Sequence, residues 1–389
     1  MSTISADADV SDDNGAPDDD TVPNDNGVST NADVPNNPDA PNDTDVSHDG
    51  TTDADEPQVV TLDTDGSRQV AYAEYGTATG DPVVFLHGTP GSRRLGALFE
   101  TAARRADVRL LAPDRPGYGL SSPRPDRTVR DTAAVVETVL EDGGVDTADL
   151  LAFSGGSPYA LTAAAQFPDR VGTVDVVAGA VPPSLRTTTP FVQRLLGRLA
   201  RTAPWLLRRL VGGQAWLADR SPEAVVAQYT DTVDDEFTPD AGPSVFGLRA
   251  VDESDGESHT RTAKRTEVES RPGPPETAGV ERATGSVRVS RVTDATPTVA
   301  ADFREAVATS RQGVVTEFRH AVTGWDVSLA AVDAPVTLWH GDRDGNVPID
   351  GPRQLAARLP NARLRVVEGA DHLRTLLAAV PAVVPTSTA

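Results

Sequence analysis

The 389-residue chain contains no cysteine. That absence excludes disulfides, cysteine-ligated zinc, iron–sulfur clusters and thiol catalysis. Lysine is nearly missing too: Lys264 is the single one, and Ile4 and Ile349 are the two isoleucines. No run approaches the roughly 18 consecutive apolar residues of a membrane-spanning helix. The amino terminus lacks the basic segment and apolar run of a secretory signal. A soluble, cytoplasmic protein with no membrane span is the expectation. Positive charge is scarce, with 35 basic residues against 58 acidic ones and a net charge of −23. Such a balance argues against nucleic acid as a partner, because affinity for a phosphate backbone rests on clustered cations. Two origins fit an acid-rich, lysine-poor chain. One is a strongly hydrated surface suited to concentrated salt; the other is a coding preference for G and C, which depletes Lys and Ile together.

The charge is unevenly spread. Residues 1–56 hold 15 Asp, one Glu and no Lys or Arg, so they carry −16 and the remaining 333 residues carry −7. That segment has too much charge and too few large apolar groups to offset chain entropy, which predicts disorder for residues 1–56. From residue 57 to 182 the pattern alternates. Val59–Leu62 and Gln69–Tyr75 flank the turn dipeptide Asp65-Gly66, a hairpin signal. Short Val-, Leu- and Ala-rich runs follow at Pro82–Leu86, Val108–Ala112, Leu150–Phe153 and Val171–Val181. Helix-compatible stretches at Arg93–Ala106 and Val129–Glu141 lie between them. The alternation resumes over residues 331–389, with strands at Pro335–His340 and Arg363–Glu368 and helices at Gly351–Arg358 and His372–Val380. The pattern predicts an α/β protein with a mostly parallel sheet covered on both faces.

Residues 183–330 interrupt it. Phe191–Val211 interleaves leucines with Arg194, Arg198, Arg201, Arg208 and Arg209, an amphipathic helical pair broken near Pro204. It reads as a lid over a pocket; contact with a membrane surface is the other use of such a face. Residues 251–298 are polar and poor in large apolar groups, a low-complexity insertion, and Ala300–Thr323 is helical again.

Chemistry enters at Ser154. An apolar strand, Leu150–Phe153, runs into Ser154-Gly155-Gly156 and then a helix start. A serine at a tight strand-to-helix turn has its hydroxyl forced into a cleft, and small neighbours are needed because the backbone is crowded there. The usual Gly-x-Ser-x-Gly reads Ala152-Phe153-Ser154-Gly155-Gly156, with alanine preserving smallness at the first position. Ser157 falls after the turn, as a helix-start residue. His87-Gly88-Thr89-Pro90-Gly91 follows another strand and suits a loop presenting backbone donors, so the amides of Thr89 and Gly155 are the candidate oxyanion hole. A serine needs a neutral imidazole to accept its proton. His48 lies in the acidic segment, His259 in the insertion, His87 in the oxyanion loop, His320 in a lid helix and His340 at a strand end. His372, in Glu368-Gly-Ala-Asp-His372, is the candidate base, since it leaves the carboxyl end of a strand. The carboxylate that orients it is Asp344, ahead of Asp342 and, more distantly, Asp371.

These segments together resemble the α/β-hydrolase superfamily over about residues 58–181 and 335–380. The motifs are His87–Gly91, Asp114-Arg-Pro-Gly-Tyr-Gly-Leu-Ser121, the turn at Ser154, Gly341-x-x-Asp344-x-x-Val-Pro348 and Gly369-x-x-His372. The order Ser154, Asp344, His372 is the order of that superfamily's triad. The resemblance implies the α/β-hydrolase fold, with an eight-stranded, mostly parallel sheet and a helical cap inserted after strand six. It also implies that Asp114–Ser121 shapes the pocket without joining the chemistry. The expected activity is that of a serine hydrolase cleaving a carboxylic ester or related acyl bond in a small molecule, with no cofactor and no metal. Haloalkane dehalogenases and epoxide hydrolases of the superfamily carry an aspartate where this chain has Ser154. A proline iminopeptidase-like aminopeptidase needs acidic lid groups, for which Asp302 and Glu305 are the candidates. A cofactor-free perhydrolase, a carbon–carbon bond hydrolase and a catalytically silent binding protein are the remaining alternatives.

Overall fold

The computed structural model describes residues 59–64, 68–230, 248–249 and 291–383. The acidic segment 1–56, the Asp65-Gly66 turn and most of the 251–298 insertion lie outside the described residues.

One sheet organises the chain. Its strands are β1 (Val59–Thr64), β2 (Arg68–Gly76), β3 (Asp81–Leu86), β4 (Val108–Pro113), β5 (Ala148–Phe153), β6 (Val171–Val177), β7 (Leu248–Arg249), β8 (Val336–Gly341) and β9 (Ala362–Val367). Their order is β1-β2-β4-β3-β5-β6-β8-β9-β7. The first two form an antiparallel hairpin and β2 meets β4 antiparallel, whereas β4, β3, β5, β6, β8 and β9 all run parallel. The central strands read as continuous apolar runs because both faces are covered; every residue of β8 is buried. Among the described residues the sheet has nine strands rather than the expected eight; the two-residue β7 arises from the interval between β6 and β8 and pairs antiparallel with β9. A second difference is the end of β6. The run read as Val171–Val181 stops at Val177, because Ala178 turns to φ 48° and the Ala180 N–H is drawn to the Ser154 carbonyl at 2.9 Å.

Helices cover both faces. The first two are α1 (Glu100–Arg105) and α2 (Val129–Asp142), followed by α3 (Ser157–Gln166). In α2 the buried Val129, Ala133, Val136 and Leu140 recur at helical spacing, and Thr128 with Asp131 closes a capping box. After β6 come the cap helices α4 (Phe191–Thr202), α5 (Pro204–Ala218), α6 (Pro222–Val226), α7 (Val292–Ala308) and α8 (Gln312–Thr323). The chain returns to the core with α9 (Asp350–Ala356) and α10 (His372–Val383). The break between α4 and α5 falls at Pro204, which fits the first position of a helix. Helix α7 begins at Val292, inside the stretch read as low-complexity. Its buried Val292, Ala295, Val299 and Phe303, three or four residues apart, outweigh the polar residues between them. The cap has its own apolar cluster, in which Leu207, Val211, Phe303, Val307 and Val315 meet Tyr118 of the core. Outward, α4 and α5 leave Phe191, Trp205 and Trp216 more than half exposed. Among the described residues no helix is long and apolar enough to cross a membrane.

Polar contacts pin α7 to the core. The Ser92 N–H and hydroxyl donate to Asp302 Oδ1 at 2.6 and 2.8 Å, and Arg93 Nη1 reaches both Asp114 and Glu305 at 2.7 Å. Burial pushes the Asp302 carboxyl up to about 7 from an ordinary value of 3.8, and the nearby Asp114 adds to the rise. A carboxyl whose folded pKa is raised stabilises the fold below its unfolded value, and that contribution is lost as pH climbs through the folded value. An Asp302→Asn variant retains the acceptor oxygen but does not titrate. Its melting temperature should therefore gain on the wild type by a few °C between pH 4 and 7, then run parallel above pH 8. A gap between the two melting curves that is constant from pH 4 to 8 would contradict the burial argument.

Candidate active site

Three strand ends on one edge of the sheet define the site. Strand β5 ends at Phe153, and Ser154 follows with φ 50°, a left-handed conformation that L-residues adopt only under constraint. The constraint comes from the glycines after it. A Cβ on Gly156 would fall 2.2 Å from the Leu86 carbonyl oxygen, and one on Gly155 would fall 2.1 Å from Thr89 Oγ1. Without side chains at both positions, β5 can turn into α3 directly above the end of β3. Ser157 is the first residue of α3, and its hydroxyl is buried.

His372 opens α10 after β9, and Asp344 lies in the loop after β8. The side chains meet: His372 Nε2 is 2.9 Å from Ser154 Oγ, and His372 Nδ1 is 2.7 Å from Asp344 Oδ2. The ring is held between Phe153 and Tyr229, with centroids 5.1 and 6.2 Å away. The amides of Asn346 and Val347 donate to the other Asp344 oxygen at 2.9 and 2.8 Å. Burial alone would raise the Asp344 carboxyl, but His372, His340 and the Val347 amide together hold it below the ordinary value.

The other candidates have different duties. Asp342 accepts the Gly369 amide at 2.6 Å, fixing the turn before His372. Asp371 accepts from the Thr230 hydroxyl at 2.6 Å and pairs with Arg374 at 3.0 Å. His87 is fully buried; its Nδ1 donates to the Gly88 carbonyl and its Nε2 accepts the Arg115 amide. Burial and the Arg115 charge hold that imidazole well below its usual range, so it is neutral. His320 bridges the Tyr159 hydroxyl and the Arg127 carbonyl. His340 was read only as a strand-end residue, yet its Nε2 lies 3.4 Å from Asp344 while donating to the Val347 carbonyl at 2.7 Å. Its position four residues before Asp344 was the available signal.

A buried ion cluster lies behind the loop that carries Thr89. Glu317, on α8, accepts from Arg115 at 2.7 and 2.8 Å, Arg127 at 2.9 Å, Tyr118 at 3.0 Å and the Thr89 hydroxyl at 2.5 Å. Burial opposes its ionisation, but the two guanidiniums and the Thr89 hydroxyl hold it far below the usual carboxylate range. Arg115 also donates to the carbonyls of His87 and Gly88. The loop carrying Thr89 is thus fixed from behind by a core arginine and a cap carboxylate. An acid among the buried Gly313, Val314, Val315 and Thr316 was the only mark of it in the sequence. Replacing Glu317 with Gln should destabilise the protein by about 3–5 kcal/mol, because two buried guanidiniums lose their counter-charge. A denaturation midpoint that barely moves would show the cluster to be energetically idle.

Above Ser154 lies a cavity of about 470 Å³, lined by Thr89, Gly155 and His372 from the core and by Leu196, Val211 and Val314 from the cap. A shallower hollow of about 700 Å³, between Pro182–Leu185 and residues 322–329, touches none of the three site residues.

A family model described as the alpha/beta hydrolase fold matches residues 81–216, from β3 into α5. The same architecture recurs in an esterase from Exiguobacterium antarcticum (TM-score 0.54, 13% identity, covering 84% of this chain and 99% of that one). It recurs also in epoxide hydrolase A from Mycobacterium thermoresistibile (TM-score 0.53, 20% identity, 84% and 96%). The chain has the α/β-hydrolase fold. Among curated relatives, a haloalkane dehalogenase from Mycolicibacterium paratuberculosis is 32% identical over 139 residues, 34% of this chain and 46% of that one. Another from Mycobacterium marinum is 32% identical over 163 residues, 41% and 54%. The matched stretch spans about half the length of these curated relatives.

Proposed function

We propose that this protein cleaves a carboxylic ester or a related acyl bond through Ser154, His372 and Asp344. The observation that carries the reading is the unbroken hydrogen-bond chain from Ser154 Oγ through both ring nitrogens of His372 to Asp344. Ser154 Oγ attacks the carbonyl carbon while its proton passes to His372 Nε2. Asp344 holds Nδ1 protonated and offsets the charge of the imidazolium. The carbonyl π electrons move to oxygen, and the amides of Thr89 and Gly155 are the proposed donors to that oxyanion. Collapse of the tetrahedral adduct breaks the bond to the leaving group, which takes the proton from Nε2. Water then repeats the sequence in reverse, releasing the acid and restoring the serine. Support for the donor pair is the close approach of Gly155 to Thr89, and a Thr89 N–H with no acceptor among the described residues.

The alternatives fare differently against the site. An aminopeptidase of the proline iminopeptidase type requires a free carboxylate for the substrate amine. Asp302 is committed to Ser92, Glu305 to Arg93 and Glu317 to two arginines, which weighs against it. Dehalogenation through an aspartyl ester is weighed against by Ser154 itself. A perhydrolase or a carbon–carbon bond hydrolase would use the same three side chains, so substrate profiling separates these readings.

Short-chain p-nitrophenyl esters should be turned over by the full chain. Ser154→Ala should reduce turnover to background, and Asp344→Asn should lower kcat by about 10⁴-fold, by favouring the wrong tautomer of His372. Equal rates in Ser154→Ala and wild type would overturn the proposal.

A further inference from the structure

The buried arginines differ in how their charge is met. Arg93 has Asp114 and Glu305, while Arg115 and Arg127 share Glu317. Arg186, by contrast only partly buried, lines the same cavity as Ser154 and has no carboxylate partner among the described residues. It follows the short turn Pro183–Leu185, and its Nε and Nη2 both donate to the Val181 carbonyl, at 3.1 and 2.9 Å. That anchor is rigid and close to the chemistry, since the preceding Ala180 N–H bonds the Ser154 carbonyl. A single neutral acceptor answers two of the five N–H groups of a guanidinium and none of its charge. Burial accordingly lowers the Arg186 pKa, with no acid to offset it.

The surroundings have the same sign. Among the described residues, Glu317 is the one carboxylate lining the cavity, with two arginines drawing on it, and Arg127 Nη1 is buried with no hydrogen-bond partner. Counting Asp344 behind His372, the guanidiniums of Arg115, Arg127 and Arg186 still outnumber the carboxylates. Among the described lining residues, Gln193, Gln214, Gln228 and Asn346 supply neutral amides. In a chain with a net charge of −23, this is a local reversal.

We infer that Arg186 is a substrate-binding residue that receives an anionic group, and that the preferred substrates are esters carrying a second, free carboxylate. The choice of bond broken rests on the acyl-transfer reading above; the binding of a carboxylate at Arg186 does not. A guanidinium already fixed through Nε and Nη2 offers its remaining N–H groups to a carboxylate in a charge-assisted contact. Contacts of that kind are worth about 10- to 100-fold in affinity.

The kinetic test compares monomethyl glutarate with methyl valerate by pH-stat, in wild type, Arg186→Gln and Arg186→Lys. Wild type should favour the anionic ester by at least about tenfold in kcat/KM. In Arg186→Gln the ratio should fall towards unity, chiefly through KM, and Arg186→Lys should restore part of it. A purely structural role would slow both esters alike and leave the ratio unchanged, which would overturn the inference. The binding test uses glutarate itself, by calorimetry, and needs no turnover. Binding to wild type that weakens about tenfold or more in Arg186→Gln supports the inference even if neither ester is hydrolysed. No binding to wild type, or equal binding to both proteins, would refute it.

Discussion

The turn at Ser154 governs the rest of the site. Holding a serine at φ 50° requires a structure that over-determines it. Buried β5 drives in from one side, and α3 leaves on the other. The Leu86 backbone and the Thr89 side chain press against the two glycines, and the Ala180 N–H holds the serine carbonyl. With the hydroxyl forced above the sheet, the parallel arrangement of β5, β8 and β9 does the remaining work, because their carboxyl ends share one edge. Loops leaving β8 and β9 then bring Asp344 and His372 to Ser154, although 190 residues of sequence separate Ser154 from Asp344.

Charge inside this protein is arranged differently from charge along its sequence. The chain is acidic, yet its deepest ion cluster has more guanidiniums than carboxylates. Glu317 joins cap to core by bonding Arg115 and Arg127, and its contact with Thr89 continues into the His87–Gly91 loop. The positions of the cap and of the Thr89 loop are thereby mechanically linked. Removing one member leaves a charge in a low-dielectric setting, which is more disruptive than its surface equivalent. Asp302 joins the same two layers by a different route, through neutral and partly protonated contacts to Ser92. One seam therefore responds to pH near neutrality, and the other does not.

Much of the core was legible because parallel strands under two helical layers leave an unambiguous mark. Val83–Leu86 and Leu150–Phe153 are short, apolar and bounded by polar or glycine-rich residues. Ser154, Asp344 and His372 were legible because each follows such a strand. What the sequence concealed depends on tertiary packing. Helix α7 starts within a polar stretch because its apolar residues find the core only after folding. Glu317 carries no local signal beyond a carboxylate on an apolar face, since the arginines that neutralise it lie about 200 residues earlier. His340 looked like the end of a strand, and its proximity to Asp344 emerges only when the loop curls back. The short β7 and the early end of β6 likewise reflect pairing and turning that composition does not encode.

The central claim is that one hydroxyl, made nucleophilic by an adjacent imidazole, attacks the substrate. Covalent capture tests it most directly. After brief exposure to a fluorophosphonate, intact-mass measurement should show one adduct per chain, and peptide mapping should place it on Ser154. The adduct should be absent when His372 is replaced by Ala. Labelling that is absent from the wild type, falls on another residue, or persists at full rate without the imidazole would contradict the account.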